Sequence, residues 1–66
     1  DLSKVDLSGK DLRGTILKGV SFEDAILTGA NLMNADLTGA NLRNAKLDAV
    51  IFCNTITPWG KDDSGC

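Results

Sequence analysis

Histidine is absent from this chain, and proline and tryptophan occur once each. Without histidine there is no imidazole for acid–base catalysis, no catalytic triad of the usual kind and no imidazole metal ligand. Two cysteines alone cannot complete a structural zinc site within one chain. No apolar run approaches the roughly 20 residues that a membrane-crossing helix needs, which argues against membrane insertion. Charge of one sign is scarce as well. Seven basic and nine acidic residues leave a net charge of −2, so there is no basic stripe for nucleic acid. Glycine is plentiful, yet no Lys-Ser/Thr pair follows a glycine loop to cradle a phosphate. The expectation is a protein with no cofactor, no metal and no enzymatic activity.

Sixty-six residues make one domain, near the lower limit for a chain that folds on its own core. The start at Asp1 rather than Met suggests a processed mature form, a protease-trimmed core or an excised domain, and the sequence does not separate these.

What the chain does have is a beat. Leucine or phenylalanine recurs every fifth residue, eleven times without a miss, from Leu2 through Leu7, Leu12, Leu17, Phe22, Leu27, Leu32, Leu37, Leu42 and Leu47 to Phe52. On an α-helix a five-residue step turns about 500° and scatters the leucines over every side. On a flat strand an odd step sends successive leucines to opposite faces. A core of this period requires a corner in every repeat.

The neighbouring columns say where the corner lies. Let c be the Leu/Phe position. At c−2 stand Val5, Lys10, Thr15, Val20, five alanines from Ala25 to Ala45, and Val50, and nine of these ten are small or β-branched. This column reads as a second inward position with little room. At c+2, nine of eleven residues are Gly, Asn or Asp, which best tolerate positive φ and tight turns. Residues c−2 and c then share one extended side, and the chain bends after c. Stacking such turns coil on coil gives a solenoid, each repeat burying its apolar column against its neighbours. Proline is missing from every repeat and appears only at Pro58, as expected if backbone N–H groups are needed between coils.

Ala30-Asn31-Leu32-Met33-Asn34, Ala35-Asp36-Leu37-Thr38-Gly39 and Ala40-Asn41-Leu42-Arg43-Asn44 resemble the A-(D/N)-L-x-x signature of the pentapeptide repeat family. The resemblance covers residues 1 to about 55. It implies an all-β, right-handed quadrilateral β-helix with four repeats per coil, about 2.75 coils in all, followed by a C-terminal capping tail over residues 56–66. Ile16, Ile26 and Ile51 occupy the outward c−1 column where the consensus has Asp or Asn, and form a candidate contact surface. Scattered surface apolar residues are also common without any role. Lys10 departs from the inward column, which implies that its coil is open at one side or that its stem snorkels outward.

The beat stops at Asn54. Trp59, between Pro58 and Gly60, is expected to cover the last coil near Leu47 and Phe52, the alternative being a surface aromatic held for a partner. Cys53 and Cys66 are expected to form a disulfide that pins the tail. The alternative is two free thiols in a cytosolic protein. The end of the chain resembles that of pentapeptide repeat proteins exported by cyanobacteria, which implies an extracytoplasmic compartment, periplasm or thylakoid lumen. Lys61-Asp62-Asp63-Ser64-Gly65 lacks the ligand spacing of a calcium loop and reads as a solvated turn.

Three functional readings follow. The first is a structural or protein-interaction module with an unknown protein partner, able to form a homodimer through its open N-terminal coil. The second is a scaffold domain detached from a larger protein. The third is the DNA-mimicking, gyrase-binding role of some pentapeptide repeat proteins, which sits poorly with a short rod of net charge −2 interrupted by Arg13 and Arg43.

Overall fold

The computed structural model describes Asp1–Cys66. The corner residues come first, because they create everything else. All eleven c+2 positions have positive φ, whether glycine, as at Gly9 (68°), or not, as at Asn34 (63°) and Ala49 (58°). A left-handed residue at each corner lets the c−2 N–H of the next repeat return to the carbonyl of the previous Leu or Phe. Ala30 N–H donates to Leu27 O and Ala35 N–H to Leu32 O, at 2.9 and 3.0 Å.

The Asp/Asn column secures the same corner from outside. The Asp6, Asn31, Asp36 and Asn41 side-chain oxygens accept the N–H two residues on, at 3.0–3.1 Å. These are Asx turns, which explains why short acceptor side chains recur just before the leucine. Ile51 has no acceptor to offer, and Cys53 N–H turns instead to Thr55 Oγ1 at 3.1 Å.

Corners at a fixed interval bring the chain back over itself. Seven parallel bridges run from Asp6↔Ile26 to Asp36↔Ile56, and each joins residues twenty apart. One side shows the ladder: Leu12 N–H donates to Asn31 O, Asn31 N–H to Lys10 O, Leu32 N–H to Ile51 O and Ile51 N–H to Ala30 O, all at 2.9–3.0 Å. The protein is a β-helix with strands and bridges and no helical segment.

Both inward columns fill the bore. Phe22, Ala25, Leu27, Ala30, Leu32, Ala35 and Leu37 are at most 1 % exposed, whereas Leu2, Leu7, Leu12, Leu17, Leu42 and Leu47 are only partly buried. Burial is greatest in the middle coil because only there does each side chain have a neighbour above and below. Val5 and Lys10, inward by column, are exposed in the first coil.

After Phe52 two short strands close the chain. Strand β1, Thr55–Thr57, pairs antiparallel with β2, Gly60–Asp62, in the register Thr55↔Asp62, Ile56↔Lys61 and Thr57↔Gly60. β1 is also the last rung of the solenoid, since Ile56 bridges Asp36. It therefore straddles the expected boundary between residues 55 and 56.

Replacing Leu37 by Ala should cost about 2–5 kcal/mol, since the side chain is fully buried in a thin core that cannot collapse around the gap. Leu17→Ala, at the half-open end, should cost clearly less. Equal midpoint shifts for the two variants in chemical denaturation would contradict this gradient of burial.

Candidate interaction surface and the C-terminal clasp

The clasp is built from Phe52 onward. In every complete repeat the carbonyl at c accepts from c+3, but the Phe52 carbonyl instead accepts the N–H of Gly65 at 2.7 Å. Glycine is required there. A methyl group on Gly65 would lie 2.9 Å from Phe52 N, 3.1 Å from Phe52 O and 3.4 Å from Ile51 Cα, all backbone atoms. Asn54 N–H donates to Asp63 Oδ1 at 2.7 Å, and Asn54 Nδ2 donates to Asn34 Oδ1 one coil away at 2.7 Å. Cys53 and Cys66 are joined by a disulfide with their Cα atoms 5.2 Å apart. In the chain-entropy picture a loop of this length is worth roughly 3 kcal/mol.

Cys53, Asp63 and Cys66 bring three ligand-type atoms within 4.8 Å, but both sulfurs are spent on the disulfide. The Lys61–Gly65 segment uses its carboxylates structurally too, with Asp62 Oδ1 accepting from Ser64 N–H at 2.8 Å.

The end of the bore is not closed by Trp59. Its ring is 61 % exposed and outside the cluster of packed apolar residues. The slot expected for it is taken by threonines that continue the inward columns: Thr55 is fully buried and Thr57 is 3 % exposed. Thr55 Oγ1 donates to Leu32 O at 2.7 Å, and Thr57 Oγ1 donates to Gly60 O, so neither hydroxyl is stranded. Pro58 and Trp59 lie in the turn between β1 and β2, outside the ladder. Counting the beat on from Phe52 lands on Thr57, and Thr15, whose hydroxyl bonds Leu12 O at 2.7 Å, shows how threonine fits such a column.

The c−1 isoleucines sit where the register puts them. Ile16 pairs with Asp36, Ile26 lies between Asp6 and Lys46, and Ile51 follows Asn31. They do not form one patch. Ile16 is 78 % exposed at the first coil, Ile26 is half-buried, and Ile51 is exposed at the last coil. Ile56, a fourth member of the column, is 44 % exposed and was hidden from the repeat reading because its leucine position is a threonine. Ile51 and Ile56 thus expose apolar area on the last coil, and Trp59 exposes more in the β1–β2 turn that follows it.

Elsewhere the shell is polar. A shallow open groove is lined by Asp11, Arg13, Gly14, Met33 and Asn34. Arg13 reaches Asp11 through both Nε and Nη2 at 2.8 Å. Lys18 Nζ stands 3.7 Å from Asp36. Such exposed pairs contribute little to stability. The Arg13 side chain and backbone N–H hold the Asp11 carboxyl down at about 2, and the Ser8 and Thr38 hydroxyls and N–H groups lower Asp6 and Asp36 in the same way.

The family profile described as pentapeptide repeats (8 copies) matches residues 1–32 and 15–54, and the chain belongs to that family. No curated protein and no solved structure matches it.

Two measurements check this account of the clasp and the corners. Gly65→Ala should lift the tail off Phe52, lower stability by about 1–3 kcal/mol and expose the Gly65-position amide to rapid hydrogen exchange. An unchanged melting temperature would show that the tail is not seated on Phe52. The lowered carboxyls make acid destabilising: their contribution is complete above the unfolded value near 4 and is lost as pH falls towards about 2. The melting temperature should therefore fall between pH 5 and pH 2. Asp11→Asn, which keeps an acceptor for the Arg13 N–H, should flatten that fall, and a parent melting temperature that holds level or rises from pH 5 to pH 2 would refute the linkage.

Proposed function

We propose that this protein is a non-enzymatic protein-interaction module whose last coil docks a protein partner. The observation that carries the reading is the exposure of Ile51 and Ile56, at 38 and 44 %, on the last coil, which the Cys53–Cys66 disulfide ties to the tail, and of Trp59, at 61 %, in the β1–β2 turn. Apolar side chains fixed on a stiff frame bind with little ordering cost. The non-enzymatic part follows the family, whose repeats build a frame. The four carboxyls with shifted protonation are lowered by hydrogen bonds from the residue two positions on, a structural use.

The frame itself is a right-handed, four-sided β-helix of about 2.75 coils whose last rung runs through β1, closed by the residues after Thr57. Its support is the twenty-residue spacing of the bridges, four five-residue repeats to a coil. The compartment is extracytoplasmic. The Cys53–Cys66 bond, which persists best in an oxidising environment, favours it.

The test is capture from the source cell with the parent and an Ile51→Lys/Ile56→Lys variant, both melting alike. A protein retained by the parent and lost by the variant bears the reading out. Equal recovery on both would remove the last coil as the docking surface.

A further inference from the structure

The clasp sits on one side of the solenoid, the side built on Leu12, Leu32 and Phe52. Along that side the ladder has a fixed form: Gly14 N–H donates to Met33 O and Asn34 N–H to Cys53 O, both at 2.9 Å. Asn54, next in the same column, donates instead to the Asp63 carboxylate at 2.7 Å, and the Phe52 carbonyl accepts from Gly65 N–H at 2.7 Å. Residues 63–66 thus occupy the place on this side that a further repeat would take.

No apolar contact holds them there. Asp63, Ser64, Gly65 and Cys66 are all exposed, and none belongs to the packed apolar cluster. Their attachments to the last coil are those two hydrogen bonds and the Cys53–Cys66 bond. The β1–β2 pairing and the hydroxyl bonds of Thr55 and Thr57 use none of their groups. The segment can therefore leave without unmaking the rung beneath it.

The two sulfurs differ in access. Cys66 is exposed, whereas Cys53 is half-buried. Exposed disulfides are the labile and regulatory ones, because exchange needs an incoming thiolate to reach one sulfur. Charge selects among thiols here. The Asp63 carboxylate lies within 4.8 Å of both sulfurs, and it repels an anionic thiol but not an uncharged one. Once Cys66 carries a mixed disulfide, Cys53 is held close enough to restore the original bond. A second thiol tethered to the first competes with that reversal, which favours a dithiol.

We propose that Cys53–Cys66 is a site of thiol–disulfide exchange with a dithiol reductant, and that exchange there releases residues 63–66 from the last coil. The reductant's thiolate attacks Cys66 Sγ, the sulfur–sulfur bond breaks, and the electron pair leaves on Cys53 Sγ, which takes up a proton. The second thiol then displaces Cys66, which is protonated in turn, and the reductant departs with a disulfide of its own. Two electrons and two protons pass from the dithiol to the protein. The segment comes away, Gly65 withdraws from Phe52, and Asn54 N–H and Phe52 C=O are left without partners. The oxidised protein closes this rung, and the reduced protein offers it to another strand. The inference goes beyond the docking reading and stands or falls without it.

Hydrogen exchange on the 66-residue chain, before and after treatment with dithiothreitol, tests the release. After reduction the Asn54 and Gly65 amides should exchange about tenfold faster or more, while Leu32, Ile51 and Ile56 keep their protection. A Cys53→Ser/Cys66→Ser variant should exchange like the reduced chain with no reductant present. Glutathione, an anionic monothiol, tests the site. Brief exposure and an acid quench should place the adduct on Cys66, which a tryptic cut after Lys61 separates from Cys53. Asp63→Asn, which keeps an acceptor for Asn54 N–H, should speed that adduct about twofold at low salt and less at high salt. Asn54 and Gly65 amides that stay protected after reduction, protection lost at Leu32 as well, an adduct on Cys53, or no gain from Asp63→Asn would overturn the proposal.

Discussion

The structure rests on one backbone constraint, a left-handed residue at the corner of every five-residue repeat. L-residues with a β-carbon reach that conformation at a cost of roughly 1–2 kcal/mol, which glycine avoids and which asparagine and aspartate lessen. Five corners are glycine and four are Asn or Asp, leaving Lys4 and Ala49 as the two that bear the strain in full. Because the corners come at a fixed interval, each side lies over the side of the coil before. The ladder of N–H···O bonds and the two inward columns then follow together. Remove the corner and the leucines lose their common side.

Such a structure has a well-made middle and two problematic ends. Repeats of this kind bury their apolar columns only against neighbours, so the terminal coils carry the unmet bonds and the exposed core. At the C-terminal end the chain doubles back, supplying β2, the Asp63 carboxylate, the Gly65 amide and a disulfide to groups on the last rung. The C-terminal end is thus fastened within the chain.

The repeat was legible because it is local. A period of five, small residues at c−2 and turn formers at c+2 are each visible in one repeat and reinforced in the next, whereas the pairing of Ile16 with Asp36 followed only from the four-repeat coil that the family resemblance implies. The clasp was only half legible. Cys53 and Cys66 announced themselves, but Thr55 and Thr57 are polar and hid the continuation of the inward columns. Trp59 looked like the natural cover for an apolar end. Its large ring had no vacant place once two threonines filled the columns and bonded their own hydroxyls. Gly65 gave no sign of its role, since its need is a close approach to Phe52 rather than an unusual φ.

By itself, the sequence determined the period, the inward and outward columns and the positions of the corners. Those depend on side-chain size and on the φ each residue tolerates, properties a residue carries with it. Only the tertiary structure decided how the ends are met: Gly65 against Phe52, threonine rather than tryptophan in the bore, and Ile51, Ile56 and Trp59 left outside. Those outcomes depend on which backbone groups lack a neighbour, and that is settled only when the chain has come back over itself.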